Sequence, residues 1–100
     1  MTVEEFLASL QADAPPGDAP PLVRALWLAG KGDWEAAHAL VGDLDSRAAA
    51  LIHAHLHRQE GDLENARYWY QRADRAPATV SVEEEWNALV IELVADDVER

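Results

Sequence analysis

One hundred residues and 11.0 kDa supply one hydrophobic core and leave little chain for a second domain. The composition, 49% hydrophobic and 27% charged, excludes a disordered chain, and 19 Ala against 10 Val plus Ile favour helix over sheet. A net charge of −11 argues against nucleic acid and anionic membrane as partners, and the absence of Cys excludes disulfides, thiolate zinc sites and a cysteine nucleophile.

Thr2-Val3-Glu4-Glu5 has the pattern of a capping box, so the first helix is expected over about 2–12 with Val3, Phe6, Leu7 and Leu10 on one face. Acids stand where a secretory signal carries bases, which fits a cytoplasmic protein. The stretch 13–21, DAPPGDAPP, is a connector, and Pro20 or Pro21 can open the next helix because a first-turn residue has no intrahelical use for its N–H. That helix, apolar through Leu22, Ala25, Leu26, Trp27 and Leu28, runs to about Gly30. Gly32-Asp33 and Gly61-Asp62 punctuate the chain: glycine suits a left-handed helix end and aspartate the next N-cap. Helices are expected to follow them at about 34–43 and 63–75. An Ala-rich helix at about 46–59, capped by Asp45 or Ser46, lies between. After Pro77 a second capping box, Ser81-Val82-Glu83-Glu84, opens a last helix with Val82, Trp86, Leu89, Val90 and Leu93 as its buried stripe. No apolar run approaches the roughly 20 residues of a membrane span. Six helices and no strands are expected.

The two Gly-Asp punctuations are 29 residues apart, and Ala25/Ala54, Asp33/Asp62 and Ala37/Ala66 recur at that offset. Small residues let paired helices approach, and a hairpin that cannot bury its face alone stacks on its neighbours. On Ala54, Gly61-Asp62, Ala66, Tyr70, Ala73 and Pro77, and more loosely on Ala25, Gly32, Ala37, Val41 and Leu44, the chain resembles the tetratricopeptide and Sel1-like helical repeats. It departs from them in its shorter repeat and in placing His53 and His57 where the family has large apolar or aromatic residues. The resemblance implies hairpins at about 21–45 and 46–77, closed by capping helices at about 2–12 and 82–97 into a compact all-α domain rather than an open array. It also implies a binding groove along first helices, here Leu51, His55, Arg58 and Gln59 with Leu22 and Leu26.

Four features could carry chemistry. In His53-Ala54-His55-Leu56-His57-Arg58-Gln59-Glu60, His53 and His57 share a helical face with Glu60 one turn on, while His55 points nearly the opposite way. Two imidazoles and a carboxylate at this spacing are candidate zinc-type ligands, with His38 completing the set from the preceding helix; otherwise the imidazoles bridge helices within the core. Their expected hydrogen-bond partners are Glu60, Asp33 and Tyr68. Arg67, Tyr68 and Trp69 combine an exposed aromatic with a guanidinium, the composition of an interface hot spot. Trp27, Trp34, Trp69 and Trp86 read as core anchors, and any left exposed would mark a surface for self-association. The acids at 83–85 and Glu92 read as a solubilising face, or as a dock for a basic partner.

No nucleophile elbow, phosphate loop or HExxH motif is present, so no catalytic residue and no cofactor is assigned. The favoured reading is a non-catalytic module that binds a protein or peptide. The alternatives are a small-ligand or divalent-metal site on His38, His53, His57 and Glu60, and a self-associating structural subunit.

Overall fold

A computed structural model describes residues 1–98. Six helices, α1 (Val3–Ser9), α2 (Pro21–Gly30), α3 (Trp34–Gly42), α4 (Arg47–Glu60), α5 (Leu63–Arg72) and α6 (Val82–Val98), make an all-α fold with no strand among the described residues. Both capping boxes form. The Glu5 amide donates to the Thr2 hydroxyl at 3.0 Å, the Thr2 amide donates to Glu5 at 2.8 Å, and Ser81 and Glu84 repeat the exchange. Ser46, rather than Asp45, caps α4 by accepting from the Ala49 amide. Helix α1 ends earlier than the apolar pattern suggests, because the amides of Leu10, Gln11 and Ala12 each bond three residues back, in tighter turns.

The Gly-Asp junctions are built alike. Gly32 and Gly61 have φ of +85° and +86°, the left-handed region. The next amide reaches back over each helix end, Asp33 to the Leu28 carbonyl and Asp62 to the His57 carbonyl, both at 2.9 Å. The two aspartate side chains then cap α3 and α5. Each junction is so short that the helices it joins pack back on each other, α2 on α3 and α4 on α5.

Helix α4 is the centre of the molecule. Nine consecutive residues, Ala49 to His57, are buried, so the helix is covered on every side. Helix α6 closes the bundle against α1, α2 and α4. Trp86 donates its ring N–H to the Leu26 carbonyl at 3.0 Å and lies so close to Gly30 that a Cβ there would meet the ring at 2.6 Å. The radius of gyration, 12.5 Å, matches the roughly 13 Å of a compact 100-residue domain, as a short closed bundle requires and an open array does not. No described helix is long and apolar enough to cross a membrane.

Three surface expectations are corrected. None of the four tryptophans is exposed: Trp27 is buried, and Trp34, Trp69 and Trp86 are half-buried. Trp27 donates to the Ser9 carbonyl and Trp34 to the Leu56 carbonyl, so these indoles anchor the core rather than standing free of it. The groove along first helices does not form, because Leu26, Leu51 and His55 are all buried. The acids of α6 are not one free face either. Glu85 is buried, Glu84 bonds back to Ser81, and Glu92 pairs with Arg75.

Candidate functional site

Because α4 is buried all round, its three histidines must be satisfied inside the protein. Successive turns send them to opposite sides. His53 and His57, four residues apart, face α3 and α5, while His55 faces α6.

On the first side His38 of α3 meets the pair from α4. One ring nitrogen from each of His38, His53 and His57 lies within 4.8 Å of the other two. The His38 and His53 Nε2 atoms are 3.0 Å apart, so one carries the proton and the other accepts it. The His53 and His57 rings stack at 5.0 Å between centroids, and His38 stands edge-on to both. Two indoles sandwich the trio: Trp34 stacks on His38 at 4.7 Å and Trp69 on His53 at 3.8 Å. The Trp34 pairing follows from spacing, since residues 34 and 38 are one turn apart on α3.

Of the two parts expected of Glu60, ligand or hydrogen-bond partner of the imidazoles, the structure shows the second. It does not join the imidazole trio; its carboxylate accepts the His57 Nδ1–H at 2.7 Å. That bond fixes the tautomer and leaves the His57 Nε2 with its lone pair free to bind. Burial, with the neighbouring His38 and His57 adding to it, pushes His53 down to about 4, so its imidazole is uncharged at neutral and mildly acidic pH. A cleft of about 540 Å³ opens beside His53 and Trp69, edged by Asp43, Asp45, Arg47 and Arg72.

The other side of α4 holds a cluster that sequence reasoning missed. His55, with no exposed surface, donates its Nδ1–H to Glu85 Oε1 at 2.7 Å. Arg58 reaches the same oxygen at 3.1 Å, and the Tyr70 hydroxyl donates to Oε2. Burial would push the Glu85 carboxyl up, but the bonds from His55, Tyr70 and Arg58 outweigh it and hold the group below the usual carboxylate range. Burial and the facing carboxylate together raise the Tyr70 hydroxyl's pKa. The His55 Nε2 is buried with no hydrogen-bond partner among the described residues. The missed signal was positional: Glu85 is three residues after Val82 and four before Leu89, on the stripe that α6 buries.

The remaining predicted residues do not gather in one site. Asp33 is an N-cap, and Tyr68 receives a hydrogen bond from Arg72, so neither serves the histidines. Gln59 is exposed, beside Trp34 and Glu60. Arg67 lies apart from Tyr68 and Trp69, in a cleft with Leu63 and Tyr70. No family model matches the chain, nor does any curated protein or solved structure. Function is therefore read from site geometry alone.

Proposed function

We propose that the protein binds one divalent transition-metal ion through His38, His53 and His57. The observation that carries this reading is the convergence of one nitrogen from each of three imidazoles, on two helices, to within 4.8 Å. Metal–nitrogen bonds of about 2.0–2.1 Å place tetrahedral donors about 3.4 Å apart, so the His38–His53 pair need open by only a few tenths of an ångström from 3.0 Å. The Glu60–His57 bond is the carboxylate–imidazole arrangement that orients a metal-bound histidine. The low proton affinity of His53 removes competition at the buried ligand. Three neutral nitrogens favour Zn²⁺, Ni²⁺, Co²⁺ or Cu²⁺ over Mg²⁺ and Ca²⁺, which prefer oxygen. Three protein ligands also leave a fourth position for water or a small ligand.

Thermal unfolding of chelator-treated protein tests the reading. At about 100 times its dissociation constant a specific ion stabilises by roughly 2.7 kcal/mol, which raises the Tm of a domain this size by about 10 °C or more. The expected result is such a rise with Zn²⁺ or Ni²⁺ and none with Mg²⁺ or Ca²⁺. His38→Gln, at a half-buried position, should abolish the rise, with unchanged circular dichroism verifying the fold. A flat panel, or a shift that survives His38→Gln, would overturn the proposal and return the trio to a purely packing role.

A further inference from the structure

Between α5 and the 77–80 connector lies a cleft of about 330 Å³, independent of the imidazole trio. Its apolar wall is Leu63, Ala66, Pro77 and Ala78, with the buried Tyr70 behind them; its charged groups are Arg58 and Arg67. Three observations separate it from the other clefts described above and along α4.

The first is charge. No acid lines this cleft, whereas the one beside His53 carries Asp43 and Asp45, the one beside Trp34 carries Glu60, and a fourth, at Arg75, carries Asp74 and Glu92. In a chain of net charge −11 a basic, acid-free cleft is a local reversal. Arg58 is answered by Glu85, but the Arg67 guanidinium has no hydrogen-bond or ion-pair partner among the described residues. The second is apolar surface that folding leaves in water: Leu63, on the wall of the cleft, is 58% exposed. The third is that the walls are already held. Arg58 of α4 donates to the Val80 carbonyl as well as to Glu85 of α6, and the Tyr70 hydroxyl of α5 is tied to the same carboxylate, so the connector is held to α4, and α5 to α6, before anything binds. Preorganisation of this kind lowers the ordering cost of association.

An unpaired guanidinium beside an apolar wall recognises a carboxylate next to an apolar side chain, with the planar fork donating to both oxygens. We infer that this cleft is a docking site for an acidic segment of a partner protein, one that places a leucine-, isoleucine- or phenylalanine-type residue on Leu63, Ala66 and Pro77 and an aspartate or glutamate on Arg67. The charge of the rest of the surface repels a polyanion such as nucleic acid, so a short segment carrying one or two acids fits where a uniformly charged chain does not.

Selection from a randomised peptide display library, with the full chain as bait, tests the inference. A protein this acidic selects basic peptides by default, so enrichment of peptides pairing an acid with a large apolar residue is a discriminating result. The expected outcome is that enrichment, lost with Arg67→Glu as bait and partly kept with Arg67→Lys. The synthesised winner should bind in solution with an affinity that falls about tenfold or more in Arg67→Glu and weakens as salt rises. Arg67 is exposed, so its substitution leaves the fold intact, and unchanged circular dichroism verifies that. Enrichment of basic peptides only, no enrichment, or acidic winners that bind Arg67→Glu equally well would each overturn the proposal. Chelator should leave the outcome unchanged, which keeps this test separate from that of the metal site.

Discussion

The Glu85 carboxylate accepts from His55, Arg58 and Tyr70 at once, and so ties α4 and α5 to α6. Removing it would strand a buried hydroxyl and a buried imidazole N–H and take the counter-charge from a half-buried guanidinium, a class of change that costs about 3–5 kcal/mol. Glu85→Ala is expected to fall in that range by urea unfolding, and Glu85→Gln, which keeps an acceptor but not the charge, to cost about 2 kcal/mol. Glu84→Ala, which loses half of a capping box, should cost about 1 kcal/mol or less, and exposed Glu83→Ala about 0.5 kcal/mol or less. Three adjacent glutamates of the same chemistry thus separate by position alone; similar losses for all three would contradict the structure. The imidazole trio was legible in part. The spacing of His53 and His57 puts them on one face, and His38 reaches them from the preceding helix, but which group would orient them depends on rotamers that sequence does not specify. Glu60 took that part, and the partner of His55 came from a residue 30 positions away.

At the scale of elements, the ends of helices are set by local chemistry, which is why they were readable. Gly, Asp, Ser and Thr at the junctions satisfy specific orphan amides and carbonyls whatever the rest of the chain does. A Cβ on Gly61 would meet nothing within 4 Å, so Gly61→Ala tests the left-handed backbone by itself and should cost about 1 kcal/mol. Asp74 supplies the opposite case. It is the one described non-glycine residue with positive φ, at 59°, just beyond the end of α5. Asp74→Gly relieves that conformation and should stabilise by a few tenths to about 1 kcal/mol. Paired chemical-denaturation curves check both signs, and equal signs would count against the assigned backbone. The inward placing of His53 and His57 was readable from the repeat pattern, but the burial of α4 on every side was not. His55, on the face expected to line a groove, lies inside because a carboxylate from α6 receives it. Position 85 was misjudged for the same reason: amphipathic patterning assigns a glutamate to water, whereas a buried histidine and arginine can hold it within.

Across the whole molecule, acid acts on stability chiefly through two buried groups, His53 and Glu85, whose folded states hold protons less readily than their unfolded ones; the exposed Glu5 carboxylate of the first capping box is depressed as well. His53 is near its ordinary 6.5 when unfolded and about 4 when folded, so below 6.5 the unfolded chain takes up a proton that the folded one refuses. Its contribution is therefore complete at pH 7 and is lost as pH falls toward 4. By proton linkage that loss is roughly 2 kcal/mol between pH 7 and pH 5. Glu85, also depressed, adds a further loss below about 4.5, where the unfolded carboxyl begins to protonate. The surplus of acids works in the other direction: titrating them reduces the self-repulsion of a chain with net charge −11, so a bare Tm–pH curve mixes both effects. His53→Gln separates them, because repulsion is common to both proteins while the imidazole term is not. The expected result is that wild type loses about 2 kcal/mol relative to His53→Gln between pH 7 and pH 5, with most of the divergence lying below pH 6.5. The same interval tests the metal reading from a second direction, since an ion that holds His53 unprotonated adds its binding energy to the folded state. Saturating Zn²⁺ should raise the whole curve at pH 7 and lose its effect on acidification as protons displace it from the trio. Parallel curves for the two proteins would show that His53 titrates normally, and the imidazole would then have to be exposed to water rather than packed between Trp69, His38 and His57.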